Sequence, residues 1–67
     1  MSHLKAVYRM KDLPARTGLS RSFIYKEIAE GHFPAGQRVA DNVTVWSEEV
    51  IAAEMERRMA LYAKASA

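Results

Sequence analysis

Between Arg21 and Lys26 the chain carries a guanidinium, a hydroxyl, a phenol and an ammonium, on Arg21, Ser22, Tyr25 and Lys26. A helical period gathers Ser22, Tyr25, Lys26 and Ala29 on one face, with Arg21 at its N-terminal end. Such groups hydrogen-bond to base edges and phosphate oxygens. No acid stands at the centre of that face, and the small Ala29 lets the helix lie close to a surface. The pattern points to recognition of a polyanion, with no catalysis. Ser20 and Ser22 have no His or Asp in a nucleophile arrangement, and no glycine-rich phosphate loop is present. His3 and His32 stand apart, without a third residue at metal-ligand spacing, so no metal is expected.

Two short helices must position that face. Lys11–Thr17 suits a first helix, with Pro14 in its opening turn and Gly18 as its stop. Ser20 suits the N-cap of a second helix running to Glu30, and Gly31 and Pro34 end it. "GLS" is then the turn of a helix-turn-helix spanning residues 11–30. Ile24 and Ile28 are expected to face inward beside Leu19, with Glu27 and Glu30 at the sides. From residue 37 to 46 the period changes to alternation around Asp41-Asn42, which predicts a small β-hairpin with Arg38 on it and Trp46 packed into the core. "VYRM" reads as a short extended segment and residues 1–6 as a loose end. Ser47 caps a final helix over residues 48–63, with Glu48 and Glu49 complementing its dipole.

The chain has 67 residues, 49% hydrophobic and 27% charged, and no cysteine, which fits one small globular domain held by its core alone. No apolar run approaches a membrane span and no signal-peptide core is visible, so the expected setting is the cytoplasm. Net charge is only +2, but its placement is uneven. Lys5, Arg9, Lys11, Arg16, Arg21 and Lys26 precede Glu27 with Asp12 the single acid among them, whereas the rear of the chain is mildly acidic. One face can therefore approach a polyanion.

The stretch "YRMKDLPARTGLSRSFIYKEIAEGHFPAGQRVADNVTVWSEEV" resembles the AlpA-like phage regulators, small MerR-type winged helix-turn-helix proteins of prophages and mobile elements, to which excisionases are structurally related. The resemblance rests on the "TGLSRSFIYKEIAEGHFP" block, a short wing and a tryptophan before an acidic helix start. It implies a mainly α fold with a small β-hairpin, the second helix in the major groove, and Arg38 on the wing near phosphates or the minor groove. Glu27 stands where the family usually has an apolar residue and Phe23 where a small polar one is common; Phe23 is expected to take over the core contact that Glu27 gives up. The last helix lacks the family's usual tryptophan ending and runs further.

That helix carries Ile51, Met55, Met59 and Tyr62 on one stripe, the first two facing the core and the last two offering a self-association surface on DNA, rimmed by Glu54, Arg57 and Arg58. The combined reading is a sequence-specific regulator of double-stranded DNA contacting it through Ser20, Arg21, Ser22, Tyr25, Lys26 and Arg38. The alternatives are an excisionase that bends DNA at attachment sites and, more remotely, a protein-interaction module on the same fold. No cofactor, small-molecule ligand or membrane contact is expected.

Overall fold

The computed structural model describes the backbone of residues 7–66 and the side chains of residues 7–63; expectations for residues 1–6, His3 and Lys5 among them, lie outside it. The chain runs through strand β1 (Val7–Tyr8), a 3-10 turn (Met10–Asp12), helices α1 (Leu13–Thr17) and α2 (Arg21–Ala29), strands β2 (Gln37–Ala40) and β3 (Val43–Ser47), and helix α3 (Glu48–Ser66). This is a mainly α, winged helix-turn-helix fold. The expected first helix is split: its opening is a 3-10 turn, in which the Asp12 carboxylate accepts the Arg9 N–H at 3.0 Å, and the α-helix begins at Leu13.

Local chemistry sets the helix ends. Gly18, at φ +78°, closes α1 by donating its N–H to the Pro14 carbonyl at 2.8 Å, in a left-handed conformation where a Cβ would be strained. The Ser20 Oγ accepts the Phe23 N–H at 3.1 Å, fixing the start of α2. The Ser47 Oγ accepts the Val50 N–H at 3.1 Å at the head of α3, which continues past residue 63 to Ser66.

The sheet has three antiparallel strands in the order β1-β3-β2, one more than a hairpin. Val7 and Tyr8 pair with Ser47 and Trp46, so the extended segment near the N-terminus covers the open edge of β3. The wing pairs Gln37 with Val45 and Arg38 with Thr44, and an irregularity before Ala40 twists its tip. Asn42, at φ +63°, makes the turn; asparagine tolerates this region better than most residues.

Leu13, Ile24, Phe33, Trp46 and Ile51 form the buried core, with Tyr8, Met10, Leu19, Ile28 and Met55 packed against it. Trp46 joins the layers: its ring is buried and its Nε1–H donates to the Pro34 carbonyl at 2.7 Å. One expectation is refined by this packing and another corrected. Ile28 faces the core as expected but is only partly buried, because the inner face of α2 is centred on Ile24 and Glu27. Glu27 is itself buried, where a position at the side was expected.

Candidate nucleic-acid interface

Rotating the inner face towards Glu27 leaves Arg21, Ser22, Tyr25, Lys26 and Ala29 together on the outer face of α2, all five exposed. Ser20 is exposed too, although its hydroxyl oxygen is engaged as the cap. Lys26 lies 3.5 Å from Glu30 across one helical turn, a loose exposed pair that water and salt weaken.

Arg38 is exposed on β2. Its partner across the strands is Thr44, and directly paired residues leave a sheet on the same face. Thr44 and Trp46 on that face meet α2 and the 3-10 turn across an open cleft of about 470 Å³, whose other walls include Arg9, Lys11, Arg21 and Tyr25. The structure thus gathers Arg21 and Tyr25 with two cations that helical periodicity did not select. Arg9 and Lys11 counted towards the basic front half of the sequence, but only the seating of Met10 on the core brings their turn beside α2. Ser22 and Lys26 lie on the same helix outside the cleft.

Ion pairing separates these cations from the rest. The Arg16 guanidinium grips Glu48 with Nε to Oε1 at 3.1 Å and an Nη to Oε2 at 2.8 Å. The Tyr8 hydroxyl donates to Glu48 Oε1 at 2.6 Å. Hydrogen bonds from Arg16, then from Tyr8, hold the Glu48 carboxyl down at about 2. Glu48 therefore ties α3 to α1 and β1, beyond any effect on the helix dipole.

Arg58 is buried, which also corrects an expectation, since it and Glu54 were placed on the rim of an exposed stripe. Its Nη donates to Glu27 at 2.9 Å and to the His32 carbonyl at 3.2 Å, and its Nε donates to Glu54 at 2.6 Å. The guanidinium carbon lies 5.7 and 5.6 Å from the ring centres of Phe23 and Phe33. The Arg58 hydrogen bond keeps the Glu27 carboxyl below its ordinary value. Instead of Phe23 replacing a lost core contact, Glu27 and Phe23 together receive an arginine from α3. Arg57 pairs with the same Glu54 at 2.7 Å and donates to the His32 carbonyl at 3.0 Å. Among the described residues, Arg9, Arg21 and Arg38 are left with no ion pair; Arg9 and Arg21 line the cleft between α2 and the wing, and Arg38 lies on the wing opposite Thr44.

His32 is less isolated than its place in the sequence implied. Its Nδ1 lies 3.7 Å from Glu27 and 3.6 Å from Glu30, a group with metal-ligating atoms within 4.8 Å of one another. Glu27, however, is already committed to Arg58.

On α3, Ile51 is fully buried and Met55 packs on the core, whereas Met59, Leu61 and Tyr62 are exposed. No described helix is long and apolar enough to cross a membrane. No curated protein and no solved structure shows significant similarity to the chain. The family model described as prophage CP4-57 regulatory protein (AlpA) does match, over residues 6–59. That match takes in the helix-turn-helix, the wing and α3 as far as Met59, and the chain belongs to the AlpA family of prophage regulatory proteins.

Proposed function

We propose that this protein is a sequence-specific DNA-binding transcriptional regulator of the prophage and mobile-element kind, acting in the cytoplasm by occupancy alone. Helix α2 lies in the major groove, presenting Arg21, Ser22, Tyr25 and Lys26, with Ser20 at its entry, and the wing sets Arg38 on the backbone. The observation that carries this reading is the sorting of charge. Arg16, Arg57 and Arg58 are engaged by the chain's own carboxylates, while among the described residues Arg9 and Arg21, which line one cleft, and Arg38, paired across the strands with Thr44 of that cleft, stand without ion pairs. A folded domain that used its surface only for solubility would have no reason to gather its unpaired cations in this way. Membership of a regulatory family of prophages supports the same conclusion.

One recognition helix and a thin wing make few contacts, and a net charge of +2 adds little long-range attraction. Useful affinity then comes from two copies on neighbouring sites, associating through the end of α3 where Met59 and Tyr62 are exposed and Met55 begins the stripe.

The test is selection of bound duplexes from a random pool, followed by binding of Arg21→Ala and Lys26→Ala to selected and random duplexes. Loss of a base contact costs about 1–3 kcal/mol and relaxes preference at one position, whereas loss of a phosphate contact lowers affinity evenly. If neither substitution changes binding to a selected duplex, α2 is not the recognition element. Absence of any salt-dependent duplex binding would make the domain a protein-interaction module. Selected sites that map to attachment sites instead of promoters would make it an excisionase.

A further inference from the structure

We infer that the cleft between the 3-10 turn, α2 and the wing is a seat for a phosphodiester of the DNA backbone, with Arg9 and Lys11 as its clamp; the inference rests on the DNA-binding reading and adds to it a contact element outside both helix and wing. The cleft of about 470 Å³ has Arg9, Lys11 and Arg21 on its walls, and among the described residues no carboxylate-bearing side chain lines it. These three cations come from different parts of the chain, the entry to the 3-10 turn, its middle, and the first residue of α2. Their convergence is a product of the fold.

Three like charges around one opening repel each other unless an anion lies between them. The nearest compensation is outside the opening: Asp12 holds Lys11 Nζ at 3.2 Å and accepts the Arg9 N–H at 3.0 Å. Lys11 keeps further N–H donors beyond that pair. Arg9 and Arg21 keep their whole guanidinium forks, which match the tetrahedral oxygens of a phosphate. The Asn42 amide and Thr44 hydroxyl on the opposite wall are neutral partners for the remaining oxygens, and Tyr25 and Trp46 supply apolar surface for a sugar. The volume falls in the range of about 300–1,000 Å³ that holds small ligands, enough for one phosphate with its sugars.

Position selects the source of the phosphate. The cleft opens between the outer face of α2 and the wing face that carries Arg38. With α2 in the groove and the wing on the backbone, the strand that borders the groove passes over the opening. A phosphate seated there fixes the register of the helix along the duplex without reading a base.

The experiment compares the full chain with Arg9→Ala and Lys11→Ala on selected and random duplexes across a range of salt. Both replaced side chains are exposed, and the Arg9 hydrogen bonds that shape the turn are made by its backbone, so the fold is retained. Each variant is expected to lose a similar several-fold in affinity on both duplexes, and to lower the slope of log affinity against log salt by about 1. Trp46 fluorescence is expected to respond to duplex in the native chain, to respond less in the variants, and to be unmoved by inorganic phosphate alone at matched ionic strength. Unchanged affinity and slope in both variants, with Arg21→Ala still defective, would overturn the seat and leave the recognition helix standing. If Arg21→Ala and Lys26→Ala are also without effect, α2 is not the recognition element and the docking that places a phosphate over the cleft falls with it; if the native chain shows no salt-dependent duplex binding, the DNA-binding reading itself fails. An equal response to free phosphate would overturn the assignment to DNA and make the cleft a site for a soluble anion.

Discussion

Replacing Arg58 by methionine tests whether α3 holds the recognition helix in place through charge. Arg58 is about 7% exposed and joins Glu27 at 2.9 Å to Glu54 at 2.6 Å, with the Phe23 and Phe33 rings nearby. Removing one partner of a buried ion pair costs about 3–5 kcal/mol, because the other charge stays buried without compensation. Glu54 retains Arg57 at 2.7 Å, so the stranded group is Glu27 alone. That places the cost at the lower end, about 3 kcal/mol. A chain of 67 residues has roughly 3–10 kcal/mol in total, so Arg58→Met is expected to lie close to unfolding. At about 4–8 °C per kcal/mol, the melting temperature falls by about 12–24 °C. Thermal melts followed by circular dichroism measure this directly. The double change Glu27→Met with Arg58→Met removes the stranded charge, and most of the loss is expected to be recovered. A fall below about 3 °C in the single variant, or a double variant no better than the single, would refute the reasoning; the cluster would then be a solvated surface pair worth under about 1 kcal/mol.

Ile24→Ala is expected to cost about 2–5 kcal/mol and Ile28→Ala clearly less, since only Ile24 is fully buried; equal losses in urea melts would show that the inner face of α2 is not centred on Ile24. Gly36→Ala combines a φ of +86° with a Cβ placed 2.7 Å from Thr44 Cγ2 and 2.8 Å from the Trp46 ring, so it is expected to destabilise by more than about 1–2 kcal/mol and to shift Trp46 emission; an unchanged spectrum and melt would refute the close approach. Glu48 sits at about 2 in the fold against an ordinary 4.5, so its stabilisation is complete above 4.5 and is lost as pH falls towards 2. Acid titration of stability should therefore be flatter over that window in Glu48→Gln, and identical profiles would count against the Arg16–Glu48–Tyr8 tie. Truncation from Met59 spares Arg58 and is expected to reduce cooperativity on two-site duplexes while leaving single-site binding unchanged; isotherms on both duplexes decide it, and equal cooperativity would assign the coupling to the wing or to the DNA.

Features made by neighbours along the chain are legible in the sequence itself. Ser20 and Ser47 cap helices, Gly18 stops one, and Asp41-Asn42 turns the wing, because each acts through hydrogen bonds or backbone angles within a few residues. Trp46 and Ile24 are also readable as core, since a large or periodic apolar side chain has one favourable destination. Tertiary structure alone decides the fate of the charges. Arg58 and Glu27 are separated by 31 positions, Arg16 and Glu48 by 32, and nothing local distinguishes these arginines from Arg9 or Arg21. An ion pair depends on where two elements come to rest, and its energy changes steeply with distance and burial. For the same reason periodicity marks Arg21 and Tyr25 on one helix but cannot bring Arg9 and Lys11 to the same cleft, or show that Val7 and Tyr8 complete the sheet beside Trp46.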